Sequence, residues 1–202
     1  MTEATGQDTP IINIRGSSVG LGPLEPSLVP QLTRWINDFE TVRMIGMDPL
    51  PMTTAQEEQW VQRVTTSETT VIFVIYDLED MAPVGSVNLM DISRTHRTCE
   101  LGIGIMTPER RGKGLGTEAV QLITDYAIHG LGMHNVQLCT YEYNWAGQRA
   151  YAKAGFREYG RRREARQHNG KWWDIIYMDV IASEWESPVM DRMMTPDEER
   201  RG

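Results

Sequence analysis

One stretch of the chain limits its possible folds more than any other, namely residues 99–140. Its first part, residues 99–106, is an apolar run that predicts a β-strand, and residues 115–128 carry apolar side chains at helical spacing. A second strand is predicted at residues 135–140. A strand, a helix and a strand in this order predict a crossover that places the two strands parallel in one sheet.

The other apolar runs predict the sheet and helices around this crossover. Residues 70–76 and 84–92 predict an antiparallel hairpin, and Asn169-Gly170 is typical of a second hairpin turn. Further strands are predicted at residues 11–15, 18–24, 156–167 and 171–181, and further helices at 27–38, 54–64 and 144–154. The fold class is therefore α+β, with a mixed, mostly antiparallel sheet of about seven strands, about four flanking helices and one parallel strand pair.

Two of these helices have recognisable starting residues. Ser27 is suited to be the N-cap of the first helix. Thr54, followed three residues later by Glu57, fits a capping box for the second helix. In the second helix Trp60 and Val61 mark the predicted apolar face.

Charge and cysteine content argue against several functional classes. The formal net charge of −8 argues against broad binding to nucleic acid or anionic membranes and mildly favours a cationic partner. The two cysteines, Cys99 and Cys139, lie in apolar runs, and the histidines show no metal-ligand spacing. The longest apolar run, residues 71–76, is far shorter than a bilayer-spanning helix. We therefore expect a cytoplasmic protein with no metal.

The length of 202 residues fits one domain. Residues 1–10 are small and polar, and residues 186–202 have the same character. Such segments predict loose tails at both ends. We expect a single domain at residues 11–185.

The loop between the first strand of the crossover and its helix is a candidate anion site. It combines cations with glycines that allow close backbone approach: Arg110, Arg111, Lys113, Gly112, Gly114 and Gly116. The helix that follows presents unpaired backbone amides at its N-terminus. The spacing fits neither a P-loop nor a dinucleotide-binding fingerprint. The alternative is a glycine-rich turn with solvated charges.

The spacing Arg111-x-x-Gly114-x-Gly116 does match a known pyrophosphate loop, Arg/Gln-x-x-Gly-x-Gly/Ala, and in this the chain resembles the GCN5-related N-acetyltransferases (GNAT). The resemblance also includes Val84-Gly85-Ser86, Cys99-Glu100-Leu101-Gly102, Asn144, Tyr151-x-Lys153-x-Gly155-Phe156 and Asn169-Gly170. It extends over about residues 18–185 and implies the GNAT fold. The chain is most similar to the branch that contains ribosomal-protein N-terminal acetyltransferases and spermidine acetyltransferases.

The resemblance implies acetyl-CoA as co-substrate. Backbone amides of the loop would hold its pyrophosphate: Arg111, Gly112, Lys113, Gly114, Leu115, Gly116 and Thr117, with the Arg110 and Lys113 side chains as helpers. The strand before the loop, at Ile105 and Met106, would pair with the pantetheine arm and face the thioester carbonyl, where negative charge develops. The alternative for that strand is an ordinary strand with two glycines, which suggest a bulge or a close backbone approach.

Three side chains are candidates for further roles. Asn144 resembles the asparagine that meets the pantetheine in the family, although it would also suit a helix N-cap. Tyr151 resembles the general acid that protonates the departing thiolate; otherwise it packs a short helix. Glu100 is the candidate general base, with an ion pair to Arg94 or Arg97 as the alternative.

These residues predict an N-acetyltransferase that transfers an acetyl group to a primary amine by direct attack in a ternary complex. The acceptor would be a protein N-terminus, a polyamine, or the amino group of a small metabolite or antibiotic. The alternative is a catalytically silent protein of the same fold that binds CoA as a sensor or interaction module. Dimers are common in the resembled branch, so a homodimer is expected as one assembly, without nucleic-acid or membrane partners.

Overall fold

The computed structural model describes residues 9–196, and within them eight strands form one sheet in the order β1-β2-β3-β4-β5-β6-β8-β7. The strands are β1 (Ile14–Arg15), β2 (Val19–Pro23), β3 (Val71–Asp77), β4 (Ala82–Ser93), β5 (Thr98–Ile105), β6 (Asn135–Tyr141), β7 (Arg157–His168) and β8 (Lys171–Ile181). The α+β fold with a mostly antiparallel sheet is confirmed.

Six α-helices lie within the described residues: α1 (Val29–Ile36), α2 (Phe39–Val42), α3 (Thr54–Thr65), α4 (Leu115–Asp125), α5 (Trp145–Ala154) and α6 (Met190–Met194). Both counts exceed the expected seven strands and four helices. The extra helices, α2 and α6, are four and five residues long, too short to show a 3.6-residue period in the sequence. None of the helices described is long and apolar enough to span a membrane.

The predicted parallel pair is present between β5 and β6, and it is short. Cys99 lies opposite Val136, and the ladder ends where Glu100 lies opposite Gln137. Strand β5 nevertheless continues to Ile105, and β6 continues to Tyr141. The two strands therefore separate beyond Glu100 and leave a cleft between them, next to the N-terminus of α4.

Helices cover both faces of the sheet. On one face α4 packs on the central strands through fully buried side chains such as Leu122 and Ile123. On the other face α1 and α3 form a smaller core that includes Leu32, Trp35 and Val61. The separation of these two cores places α4 on one face of the sheet and α1 and α3 on the other.

The start of α3 differs from the prediction by one residue. The capping box is formed by Thr53 and Gln56: Gln56 N donates to Thr53 Oγ1 (3.3 Å), and Thr53 N donates to Gln56 Oε1 (2.9 Å). Thr54 and Glu57 are therefore not the capping pair. This frees the Glu57 side chain, which points into the protein and is only 5% exposed.

The start of α1 and the glycines of β5 also differ from expectation. Ser27 lies within a 3₁₀ turn, and α1 begins at Val29. The irregularity next to β5 lies opposite it on β4, between Met90 and Ser93, and not at the glycines. The two glycines are needed because neighbouring side chains approach them closely, as described below.

Part of the expected C-terminal tail is packed. Buried Asp125, at the end of α4, accepts hydrogen bonds from Trp185 Nε1, Ser187 Oγ, Val189 N, Met190 N and His129. Burial alone would raise the pKa of the Asp125 carboxyl, but these hydrogen bonds outweigh burial and lower it. Met190 is itself buried, so the assignment of residues 187–194 to a loose tail is wrong. The rest of the expected tail, residues 197–202, and residues 1–8 of the N-terminal one lie outside the described residues.

Candidate active site

The glycine-rich loop takes a backbone shape that only glycine adopts easily. Gly112 and Gly114 have φ values of +73° and +89°, and a Cβ at either position would meet nothing within 4 Å. Conformation, and not crowding, therefore requires glycine there. Gly114 is the N-cap of α4 and offers no side-chain cap, so the first amides of α4 are left without acceptors from the protein.

The two arginines of the loop are held by the protein. Arg111 donates from Nε to Ile105 O (2.9 Å) and from Nη2 to Thr41 Oγ1 (2.7 Å). Arg110 forms ion pairs with Asp77 (2.6 Å) and with Asp80. The Arg110 guanidinium is thus committed to carboxylates, which does not support the expected helper role for it. Both side chains fix the loop and leave its backbone to face outwards.

A cavity of about 350 Å³ lies in the cleft between β5 and β6. The structure brings several of the predicted site residues to its wall: Glu100, Ile105, Arg111, Gly116, Asn144 and Tyr151. Gly112, Lys113, Gly114 and Thr117 lie in the adjoining loop and first turn of α4, and Leu115 is buried in the core. We call this space the donor cavity.

Met106 is not brought to the donor cavity. Its amide already donates to Val84 O (2.8 Å), and its side chain is buried on the opposite side of the sheet with the α1 and α3 core. Alternation along a strand explains the difference, because Ile105 and Met106 must point to opposite faces.

Asn144 has the capping role considered from the sequence. Its Oδ1 accepts from Gly147 N (3.0 Å) and starts α5, whose next turns carry Tyr151 to the donor cavity. The capping bond fixes the asparagine at the wall of the cavity, so the cap and a contact with a ligand there are compatible.

Tyr151 is partly buried, and its hydroxyl has no hydrogen-bond partner within residues 9–196. Burial, together with the nearby Cys139 and Tyr141, raises its pKa to about 12. The phenol therefore stays protonated throughout the neutral range and can donate a hydrogen bond into the cavity.

Glu100 faces the donor cavity and not an arginine. Gln137 Nε2 donates to its Oε2 (3.4 Å), and the Tyr159 hydroxyl donates to Gln137 Oε1 (3.0 Å). Arg97 instead donates to Gly132 O (2.6 Å). The ion pair considered from the sequence is absent among the described residues, and the carboxylate is held at the cavity by a neutral amide.

A second cavity, of about 370 Å³, lies on the side of α1 and α3. Its wall combines indole and thioether groups with three polar side chains: Trp35, Trp60, Met47, Met52, Met106, Glu57, Ser86 and Asn88. We call it the acceptor cavity. The two cavities share Ile45, Met90, Gly102, Ile103 and Gly104, so they meet at β5, beside Met90 of β4 and Ile45 of the turn after α2.

The glycines of β5 keep the junction open. A Cβ on Gly102 would lie 2.5 Å from Asn88 Oδ1, and a Cβ on Gly104 would lie 2.9 Å from Met106 Sδ. Either side chain would fill the space between the cavities. This close approach explains the glycines better than an ordinary strand does.

The sequence analysis missed Glu57 and Asn88. Glu57 has neither a cation nor a hydrogen-bond donor to its carboxylate among the described residues, and burial raises its pKa. Its position offered a signal, because Glu57 shares a helix stripe with Trp60, Val61 and Val64 at helical spacing, where a carboxylate is unusual. Asn88 alternates with buried Val87 and Leu89 and looked like an ordinary strand residue.

Comparisons with known proteins agree with this geometry. A sequence model described as the acetyltransferase (GNAT) domain matches residues 18–157. The probable N-acetyltransferase YjcK of Bacillus subtilis is 33% identical over 110 residues, covering 54% of this chain and 60% of the relative. The spermidine N(1)-acetyltransferase of Vibrio cholerae is 30% identical over 113 residues, covering 56% of this chain and 64% of the relative. The chain thus spans less than two thirds of these relatives.

A solved structure extends the likeness of fold to most of the chain. The spermidine N-acetyltransferase of Vibrio cholerae, in complex with CoA and spermine, superposes with a TM-score of 0.77 at 24% identity, covering 84% of this chain and 98% of that chain. At that identity the likeness concerns the fold alone.

Proposed function

Because the chain belongs to the GNAT acetyltransferases, we propose that it transfers an acetyl group from acetyl-CoA to a primary amine whose molecule carries further positive charge. The observation that carries the proposal is the junction of two cavities at Gly102 and Gly104, with the glycine-rich loop beside one and an unpaired carboxylate in the other. Direct attack in a ternary complex requires such a junction, since both substrates must reach the same point.

The donor side fits coenzyme A. The amides at the start of α4 are free, and the open positions around Gly112 and Gly114 allow a phosphate to approach the backbone. The unpaired edges of β5 and β6 offer backbone groups to an extended amide chain such as pantetheine. We assign the pyrophosphate to the loop from Arg111 to Thr117 and the pantetheine to the cleft beside Asn144.

The acceptor side favours a cation. Glu57 is a buried carboxylate without a partner in the described part of the chain, and it lines the same cavity as the indole rings of Trp35 and Trp60. An ammonium group would neutralise the carboxylate and could form a cation–π contact with either ring. The names of the relatives support this choice of acceptor, because they include spermidine acetyltransferases, and the Vibrio cholerae structure holds spermine. A polyamine is therefore the first acceptor to test.

The chemistry needs two proton movements. A nitrogen–carbon bond forms while the carbon–sulfur bond breaks, the amine loses a proton, and the departing sulfur gains one. Glu100 would take the amine proton, directly or through water. The sulfur would leave as a thiolate that accepts a hydrogen bond from Tyr151 and would take its proton from solvent, because full transfer from a phenol with a pKa of about 12 to a thiolate whose acid has a pKa of about 8.5 would be uphill by roughly 5 kcal/mol.

The test is thiol release from acetyl-CoA with a panel of amines: spermidine, 1,4-diaminobutane, butylamine and an N-terminal peptide. We expect turnover, with the polyamine preferred over the monoamine. Glu57→Gln should raise KM for spermidine by about 10-fold or more, as expected for loss of a buried charge pair, and should leave KM for butylamine nearly unchanged.

Glu58→Gln is the matched control, because Glu58 is the next residue of α3 and is exposed. It should behave like the wild type. Tight CoA binding without turnover on any amine would instead support the catalytically silent sensor. The cytoplasmic location and the homodimer stay predictions.

A further inference from the structure

Asn88 is a polar side chain that the fold leaves unsatisfied. It lies on β4 between Val87 and Leu89, which are buried on the α4 side, so its side chain points to the opposite face and the acceptor cavity. Its Oδ1 is buried and has no hydrogen-bond partner among the described residues. A buried carbonyl of this kind costs stability unless something donates to it.

The neighbouring strands cannot supply the donor. Asn88 lies opposite Ile72 on β3 and opposite Gly102 on β5, and neither residue has a polar side chain. On the same strand, Ser86 also lines the cavity two residues away, but within residues 9–196 Asn88 Oδ1 accepts no hydrogen bond from it. The rest of the wall includes the apolar side chains of Met90 and Trp60. The Oδ1 atom is buried against Gly102 while the rest of the side chain faces the acceptor cavity, so a rotation of the terminal amide would present this acceptor to a molecule that enters the cavity.

The absence of a side chain at Gly102 leaves room for Asn88 Oδ1. A side chain at Gly102 would come within 2.5 Å of Asn88 Oδ1, so the carbonyl lies over the backbone of Gly102, where the two cavities meet. Glu100 is diagonal to Asn88 on the same face of the sheet, because Asn88 pairs with Gly102 and Met90 pairs with Glu100. A hydrogen-bond acceptor and a candidate base thus flank the junction.

We propose that Asn88 Oδ1 accepts a hydrogen bond from the reacting amine and orients it for attack. This inference rests on the proposed function and deepens it. A neutral primary amine has two N–H donors and one lone pair; with one N–H on Asn88 and the other directed to Glu100, the lone pair is left to face the donor cavity. A carbonyl accepts from a neutral amine without favouring its protonation, which a carboxylate at this place would do.

The test compares Asn88→Leu and Asn88→Asp with the wild type on spermidine and butylamine. Leucine keeps the volume and removes the acceptor atom, so kcat/KM for both amines should fall roughly 10- to 100-fold, the loss typical of one buried hydrogen bond. The dissociation constant for acetyl-CoA should not rise, and the thermal midpoint should not fall. Aspartate should restore part of the activity but move the rise of kcat/KM to higher pH, because it stabilises the ammonium form.

Thr124→Val is the matched control for removing a buried polar atom. Thr124 Oγ1, in α4, is likewise buried without a partner but lies outside both cavities. This variant should keep full activity. An Asn88→Leu protein with wild-type kcat/KM, or one whose activity falls only in proportion to the folded fraction, would overturn the inference.

A failure of the proposed function can be distinguished from a failure of the inference about Asn88. Absence of turnover in the wild type with every amine would overturn the proposed function, and calorimetric titration of spermidine into the CoA-bound protein would then decide on Asn88. Binding heat that is present in the wild type and lost in Asn88→Leu supports the site. Equal heat in both proteins, or none in the wild type, overturns it.

Discussion

The donor and acceptor cavities share a junction but are built in different ways. Around the donor cavity the charged side chains are paired within the protein, as Arg110 is with Asp77 and Arg111 with Thr41, and backbone amides are left for the ligand. Around the acceptor cavity the backbone is paired in helices and strands, and Glu57 and Asn88 are left unpaired. In the proposed function, the donor side would therefore recognise the pyrophosphate mainly through chain conformation, and the acceptor side would recognise its ligand through individual side chains.

The largest effect is expected where the donor side depends on conformation. Gly114→Val places a β-branched residue at φ +89°, which costs several kcal/mol (~1–3) of strain and turns the first amides of α4 away from their present direction. The dissociation constant for acetyl-CoA, measured by calorimetry, should rise more than about 100-fold.

Gly132→Val is the control, since Gly132 also has a positive φ (+71°) with nothing within 4 Å of its Cβ position. It should lose comparable stability and keep acetyl-CoA affinity. Normal affinity in Gly114→Val would show that the loop does not hold the pyrophosphate.

The same contrast explains what could be predicted from the sequence. The conformation of the donor side is encoded by local sequence. Three of its features can be recognised in the sequence: glycines at fixed spacing, the long amphipathic α4, and Asn144 before a short helix. The crossover then requires β5 and β6 to be parallel, and the strand order is largely fixed by it. Gly114, Asn144 and Tyr151 could therefore be named as candidates before any coordinates, and the structure places Asn144 and Tyr151 at the donor cavity, while the roles of all three stay predictions.

The acceptor side could not be predicted, because its residues acquire their roles only through packing. Glu57 satisfied a local capping pattern, but Gln56 takes that role one residue earlier, and the helix then turns Glu57 inwards. The resemblance implied that Met106 lies with Ile105 at the pantetheine arm, although strand alternation directs the Met106 side chain to the other face. The C-terminal segment packs on Asp125 through hydrogen bonds between residues that are far apart in the sequence. The sequence therefore could not show that the predicted tail includes packed residues.

A smaller effect is expected at Tyr151, which lines the donor cavity and whose proposed role is in the chemical step and not in binding acetyl-CoA. Tyr151→Phe removes the hydroxyl and keeps the ring, so kcat should fall about 10- to 100-fold, as for loss of a hydrogen bond to a charged group. Acetyl-CoA affinity should change little. Because burial raises the pKa of Tyr151 to about 12, its ionisation should not limit the rate of the wild type anywhere in the neutral range.

Tyr143→Phe provides the control for this change. Tyr143 stacks on Tyr141 near the donor cavity but does not line it, and phenylalanine keeps the stacking. Its kcat should equal that of the wild type. Unchanged kcat in Tyr151→Phe as well would remove Tyr151 from the reaction and leave the departing sulfur to another donor.

The smallest effect is expected at a side-chain bridge from the glycine-rich loop to α2, whose Thr41 also lines the donor cavity. Arg111 donates to Thr41 Oγ1 (2.7 Å), and the Thr41 hydroxyl in turn donates to Asp38 at the start of α2. Thr41→Val keeps the shape and removes both hydrogen bonds, while Arg111 retains its bond to Ile105 O. The hydrogen bond from Thr41 lowers the pKa of Asp38, so that pKa, followed by NMR, should rise in the variant.

If the bridge couples the cavities, the dissociation constant for acetyl-CoA and KM for spermidine should both rise in Thr41→Val, each by about 2- to 5-fold, the lower part of the range for a hydrogen bond because this bridge is partly exposed. Binding of CoA should also improve spermidine affinity less than it does in the wild type, since coupling between two sites is reciprocal. Thr33→Val removes a hydroxyl that bonds only within α1, to Val29 O, and should change neither. A loss confined to acetyl-CoA affinity would mean that Arg111 and Thr41 stabilise the loop alone, and that the two sides communicate only through the junction at Gly102 and Gly104.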